Sequence, residues 1–297
     1  MKVFLTGGSG FVGSHLLRRL LSDGHQVRAL VRRRGVLCSH SGMLEELPAD
    51  LASTDLSQSL SGCDVVINLV GIIYEQGRST FEAVHHIGTR NLVAAARGSG
   101  VRRFVQMSAL GARASNASRY HTTKFAAEEE VRNSGIPEVI LRPSLIFGPG
   151  SAFVKQMISL IGAVPFIRPV AGTGEYRFRP IHVSDVVECF AQSLTNPMAA
   201  NNTIELVGGE ELTLNELTGT LAECLKVHKV PVHIPMPLMR AAAAVFSVLP
   251  IKPPVTPIQL RMLEEGSTAD SERMKEIFDI EPIRFRDGIK RDLSCGT

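Results

Sequence analysis

Apolar residues first gather in the short run Lys2-Val3-Phe4-Leu5, which ends in a glycine cluster. Leu16, Leu17, Leu20 and Leu21 then recur at helical spacing, and Gly24 stands where a helix stop belongs. Val27–Val31 reads as a second strand and Asp64–Leu69 as a third, its VVINL core rich in β-branched residues. Phe81 to Arg97 predicts a helix ending at Gly98 and Gly100. Arg103–Met107 predicts a strand, Lys124–Arg132 a helix, and Val139–Leu141 a strand before Pro143. Doubly apolar strands that alternate with helices predict a parallel sheet covered on both faces. After Gly150 the texture changes. Pro165, Pro169, Pro180, Pro231, Pro235, Pro237, Pro250, Pro253, Pro254 and Pro257 interrupt shorter elements, which predicts a second lobe.

Composition narrows the class. The 297 residues are 44% hydrophobic and 21% charged, with 26 Gly and 16 Pro, which excludes a disordered chain, a collagen-like repeat and a disulfide scaffold. A net charge of +3 lacks the basic excess that nucleic-acid binding needs, so no nucleic-acid partner is expected. Cys38, Cys63, Cys189, Cys224 and Cys295 are scattered and odd in number, which argues against a zinc site, predicts no metal and fits a reducing compartment. The first strand leaves no room for a signal peptide before it, and the apolar stretch Leu238 to Leu249 is far short of a membrane span. The expectation is a soluble cytoplasmic protein without a membrane span, peripheral membrane contact being left open.

Thr6-Gly7-Gly8-Ser9-Gly10-Phe11-Val12-Gly13 lies between the first strand and the first helix. A phosphate pair must come close to the helix N-terminus, where a Cβ would collide with it. Gly7 permits the turn, Gly10 the close approach, and Gly13 lets the helix pack on the strand. The pattern predicts an α/β fold of Rossmann type, a doubly wound parallel sheet with a smaller mixed α/β C-terminal substrate lobe. Residues 1–150 form the dinucleotide-binding core, with 178–208 returning to it, and 151–177 and 209–297 form the substrate-binding lobe. The end of the second strand chooses the cofactor. An acidic residue there would hold the adenosine 2′-hydroxyl, but Val31 is followed by Arg32-Arg33-Arg34, which suits a 2′-phosphate and favours NADP(H) over NAD(H). The expected cofactor contacts are Thr6, Gly7, Gly10, Phe11, Val12, Gly13, Arg32, Arg33, Asp50, Leu51, Val70, Gly71, Lys124 and Pro143. Asp50-Leu51 are placed at a strand end beside the adenine.

Tyr120-His121-Thr122-Thr123-Lys124 puts a phenol and an ammonium on one helix face. The ammonium is expected to lower the phenol's pKa toward the working range, so that Tyr120 exchanges a proton with a substrate oxygen. Ser108, at the end of the preceding strand, could hydrogen-bond the same oxygen. These residues, with TGGSGFVG, LRPSLIFGPG at Leu141–Gly150 and PIHVSDV at Pro180–Val186, resemble the short-chain dehydrogenase/reductase superfamily in its extended and atypical, epimerase/dehydratase-like branches. VHHIGTRNLVAAAR, RRFVQMSALGA and SRYHTTKFAAEE are similar to the atypical group that contains the complex I 39-kDa accessory subunit and bacterial relatives.

The resemblance implies a catalytic set of Ser108, Tyr120 and Lys124, with Lys124 also holding the nicotinamide ribose. His85 stands at the place of an Asn that completes a proton relay in that family; it can shuttle a proton or simply pack. His182 and Asp185 read as structural, and the apolar Leu238–Leu249 stretch as core before membrane foot. The leading expectation is an NADP-dependent oxidoreductase acting on a carbonyl or alcohol of a small, hydrophobic substrate. That substrate class rests on the apolar stretch and on a second half with only Tyr176 and no Trp for sugar stacking. The alternatives are a non-catalytic NADP-binding accessory subunit or redox sensor, and a nucleotide-sugar epimerase or dehydratase.

Overall fold

The computed structural model describes residues 1–37, 42–52, 55–114, 118–248 and 256–294. Cys38, Cys295, Leu249, Pro250, Pro253 and Pro254 lie outside the described residues. The chain divides into two compact units: residues 1–143, 184–206 and 272–280, and residues 144–183, 207–271 and 281–297.

The first unit is built on seven parallel strands. β1 (Lys2–Thr6), β2 (Gln26–Val31), β3 (Leu44–Pro48), β4 (Val65–Asn68), β5 (Arg103–Met107) and β6 (Glu138–Pro143) are joined by the strand Asn202–Leu206. Their order is β3-β2-β1-β4-β5-β6 and then Asn202–Leu206, so chain direction across the sheet reverses between β1 and β4. β1 and β4 bury almost every side chain, as strands covered on both faces must. On one face Phe4, Val66 and Phe104 pack with Leu92, Val93 and Val131 from the helices α2 (Gly88–Arg97) and α3 (Arg119–Arg132). Helix α1 (Phe11–Ser22) buries Leu16, Leu17 and Leu20, and Arg19 pairs with Glu188 of the helix Val183–Gln192. The helix predicted from Phe81 begins with a π-helical segment, Glu82–Ile87, and continues as α2. π segments of this kind recur at functional sites.

Two boundaries differ from the sequence reading. β3 went unpredicted because Leu-Glu-Glu-Leu-Pro places carboxylates where an apolar alternation would be sought. Helix α3 starts at Arg119, ahead of Lys124, because Ser118 caps it with its side-chain oxygen toward His121 N.

In the second unit, Phe147, Val170, Phe178, Leu217, Leu221 and Phe285 form the core. The helix Leu214–Cys224 opens on a capping box in which Thr213 and Glu216 satisfy each other's backbone N–H. Ile167–Ala171 pairs in parallel with Val230–Ile234. The helix Met236–Val248 corrects an expectation. The apolar stretch was read as core, yet Met236 and Ala243 are buried while Leu238, Ala241 and Ala242 are exposed.

Candidate functional site

The glycine loop crosses from β1 to α1 beside the end of β4. Gly7 holds φ +73°, and a Cβ there would lie 3.0 Å from the Leu69 carbonyl carbon and 3.1 Å from Val70 N. A Cβ on Gly13 would lie 2.0 Å from Gly7 O, a collision with backbone that no side-chain movement relieves. Gly10 N donates to Gly7 O at 2.9 Å, and a Cβ on Gly10 would stand 3.2 Å from that oxygen. Gly10 is also the N-cap of α1 and has no side chain to cap it; the first turn carries no acidic residue. The leading N–H groups of α1, at Phe11, Val12 and Gly13, therefore lack intrahelical partners at the positive end of the helix. This is a cradle for an anion such as a pyrophosphate.

Below the loop lies a polar network that the sequence reading missed. Thr6 Oγ1 donates to Asn68 Oδ1 at 2.6 Å. Asn68 Nδ2 donates to Thr89 Oγ1 at 3.0 Å and Gln106 Oε1 at 2.9 Å, and Gln106 Nε2 to Met107 O at 3.1 Å. All four side chains are buried, so each must be paired to be tolerated. The network ties β1, β4, β5 and α2 together at the carboxyl end of the sheet. One Asn or Gln inside an apolar strand forms no pattern, although a polar residue in VVINL was itself a signal.

Helix α3 brings the second cluster together. Tyr120, Lys124 and Glu128 recur every fourth residue on its buried face. Lys124 Nζ donates to Met107 O at 3.2 Å, next to Ser108. A Cβ on Gly71 would lie 2.9 Å from Lys124 Nζ and 3.7 Å from His85 Nε2, which places these three residues at one point. His85 Nε2 lies 3.0 Å from Ile72 N, and Nδ1 lies 3.0 Å from Thr123 Oγ1, so both ring nitrogens have partners. The Tyr120 ring meets Phe81, His85 and His121 edge to face, with centroids 5.8, 5.5 and 5.2 Å away. Ser108 N donates to Leu141 O at 2.7 Å. Its Oγ is buried and has no hydrogen-bond partner among the described residues.

Burial sets the electrostatics. It pushes the Tyr120 phenol up to about 12 and the Lys124 ammonium down to about 8, Glu128 opposing the second shift. The expected lowering of Tyr120 by Lys124 is not seen in the cofactor-free chain, where burial raises the phenol. Burial, then Lys124, lowers His85 to about 2, so this ring is neutral. Glu128 was not singled out in the sequence. It is fully buried and accepts Arg142 Nε at 2.8 Å and Nη2 at 2.6 Å, with Arg132 Nη2 at 2.8 Å. This ties the buried face of α3 to β6, and only the fold makes the pairing visible.

The remaining candidates lie at neighbouring strand ends. Arg32 and Arg33 are exposed just after β2, and Pro143 closes β6, its carbonyl accepting from Leu110 N at 3.0 Å. Asp50 is exposed and accepts from Ala52 N at 3.0 Å, while Leu51 is buried against Gly88. Val70 is half-buried beside Gly7. The arginine turn does hold a carboxylate that the sequence reading did not single out. Glu46 on β3 accepts from Gly35 N at 2.5 Å and Leu37 N at 2.8 Å, and these N–H groups hold its carboxyl below the usual range. His182 lies in the second unit, 3.3 Å from Asp292 through Nε2. Among the described residues, no group of three His, Cys, Asp or Glu is arranged to hold a metal.

Residues 3–208 match the model of the NAD dependent epimerase/dehydratase family. The chain belongs to that family. It is 30% identical over 247 residues to the mitochondrial NADH dehydrogenase [ubiquinone] 1 alpha subcomplex subunit 9 of Arabidopsis thaliana, a match over 80% of this chain and 61% of that one. The chain therefore spans about three fifths of that relative's length. Ceramide reductase of Caulobacter vibrioides is also 30% identical, over 82% of this chain and 76% of its own. The fold matches a UDP-glucuronic acid 4-epimerase from Bacillus cereus with a TM-score of 0.77 at 18% identity, covering 99% of this chain and 98% of that one. The uncapped α1 terminus, the glycine cradle and the unpaired Ser108 hydroxyl fit the nicotinamide dinucleotide that this family's name implies.

Proposed function

We propose that the chain is an NADP-dependent oxidoreductase that reduces a carbonyl on a hydrophobic substrate or oxidises the corresponding alcohol. The observation that carries this reading is the buried meeting of Tyr120, Lys124 and the unpaired Ser108 hydroxyl at the carboxyl end of β5. The α1 N–H groups would hold the pyrophosphate, Arg32 and Arg33 the 2′-phosphate, and Lys124 the nicotinamide ribose. The dinucleotide, when bound, supplies the hydride chemistry. Ser108 Oγ donates a hydrogen bond to the substrate oxygen. Tyr120, whose phenol keeps its proton well above neutral pH, gives that proton to the same oxygen as it gains charge. His85 packs the Tyr120 ring and stays neutral. The second unit is assigned substrate recognition, and the ceramide reductase relative supports an apolar substrate.

The likeness to a complex I subunit supports a second reading, a bound dinucleotide without turnover. NADPH consumption against a panel of quinone, isoprenoid and long-chain carbonyls separates the two. Turnover that Tyr120→Phe abolishes supports the enzyme; tight NADPH binding with no turnover on any carbonyl supports the accessory role.

A further inference from the structure

The pairing of Ile167–Ala171 with Val230–Ile234 makes a two-stranded sheet with one face against the core of the second unit. In this register Val230 lies beside Ile167, Val232 beside Pro169 and Ile234 beside Ala171, so these six side chains share a face. The opposite face carries Arg168 and Val170, both buried, beside Pro231 and His233, both exposed. Arg168 Nη1 donates to Asn215 O at 3.0 Å and bonds Thr218, while Val170 enters the core. On Ile167–Ala171 the usual alternation is inverted: Arg168 points inward, while Ile167 and Pro169 stand on the apolar face opposite and Ala171 closes that face against the core.

The surface continues past the strands. Phe166 is 83% exposed and holds φ +64°, a backbone region that a bulky side chain occupies under strain. Its carbonyl accepts from Val230 N at 3.0 Å, which fixes it beside Val230, itself 66% exposed. Val164, Val232 and, on the following helix, Leu238 extend the exposed apolar area. The stretches that build it, residues 139–174 and 224–263, contain no Asp or Glu. Lys226 is exposed, and Lys229 Nζ donates to Ile161 O and Val164 O, which holds an ammonium at the margin of the patch. Of the carboxylates that flank these stretches, Glu175 accepts from Asn215 Nδ2, and Glu223 and Glu264 pair with Arg286 and Arg240.

An outward apolar face with Lys226 and Lys229 at its margin, and no carboxylate in the stretches that build it, fits one occupant. We propose that this face docks on the surface of an anionic lipid bilayer. Phe166, Val230, Val232 and Leu238 enter the acyl boundary, and Lys226 and Lys229 meet lipid phosphates. A second copy of the chain fits less well, since two such faces would bring the lysines at their margins together. The proposal stands independently of the cofactor reading.

Sedimentation of the full chain with vesicles tests it, using phosphatidylcholine alone and equal parts of phosphatidylcholine and phosphatidylglycerol. The wild type should pellet with the anionic vesicles, remain in the supernatant with the neutral ones, and be released by salt. Phe166→Ser combined with Val230→Ser should lower the partition coefficient about tenfold or more, with circular dichroism and thermal midpoint unchanged. Lys226→Glu, at an exposed turn position, should weaken binding to anionic vesicles alone. Wild type left in the supernatant with both vesicle types overturns the proposal, as does unchanged pelleting of the folded double variant. A wild-type dimer that Phe166→Ser turns into a monomer, without vesicle binding, assigns the face to a second copy and overturns it as well.

Discussion

The glycine loop and the arginine turn follow neighbouring strands, β1 and β2, yet they are specified by opposite means. In the loop, backbone meets backbone so closely that one carbon on Gly13 would sit 2.0 Å from Gly7 O. In the turn, Arg32 and Arg33 are exposed side chains, and the shape beneath them is held by Glu46 through Gly35 and Leu37 N–H groups. A steric specification is all or none. An exposed electrostatic one is graded and screened by salt. Anion binding at the loop should therefore be insensitive to conditions and intolerant of substitution, while 2′-phosphate selection at the turn should show the reverse.

The largest effect should come from the loop. Gly13→Val forces Gly7 and α1 apart, so NADPH binding should vanish and the thermal midpoint should fall. Gly10→Val has a looser 3.2 Å neighbour and should keep the fold while losing the dinucleotide. Calorimetry with thermal denaturation reads both, and a Gly13→Val chain that binds NADPH normally would break the contrast.

Next comes Tyr120→Phe. Loss of one proton-transfer group should reduce turnover by about 10²–10⁴-fold. Affinity for NADPH should barely move, because the hydroxyl is assigned to the substrate oxygen. An equal loss in binding and turnover would instead place Tyr120 in cofactor binding.

The buried cluster should answer to pH where the turn answers to salt. Lys124 sits at about 8 in the fold against 10.5 in an open chain, so the unfolded chain holds the extra proton between those values. Stability of the cofactor-free protein should therefore rise as pH climbs from 8 to 10.5, by an amount on the order of 3 kcal/mol, and Lys124→Met should remove that limb. His85 gives the acid counterpart. It is neutral in the fold down to about 2 against 6.5 unfolded, so stability should fall as pH drops below 6.5, and His85→Gln should flatten the fall. Urea titrations across pH measure both; parallel curves for wild type and variants would show that the two groups are solvated.

The smallest effect belongs to the turn. Arg32→Ala or Arg33→Ala should weaken NADPH about tenfold and leave NADH unchanged, with the gap shrinking as salt is added. Equal affinity of the wild type for the two cofactors would remove the turn from cofactor choice.

The strand-loop-helix unit at residues 2–22 was legible in the sequence because its determinants are local. A short apolar run, glycines that admit a close backbone and leucines at helical spacing act within a few residues of one another. The shared face of Tyr120 and Lys124 was legible for the same reason, since four residues of helix set it. Local pattern also proposed the parallel sheet, by placing apolar strands between helices. Other features depended on partners far away in the chain, and only the tertiary structure decided them. Glu128 meets Arg142 from β6, Glu46 reaches the turn after β2, and Asn68 joins Thr6 to Gln106. The direction of the Tyr120 shift was decided there too, because desolvation depends on everything packed around a group and not on its neighbour one turn away. The helix Met236–Val248 carries the same lesson. Its apolar sequence says that it can be buried, but what covers a face is a property of packing, and here packing left Leu238, Ala241 and Ala242 outside.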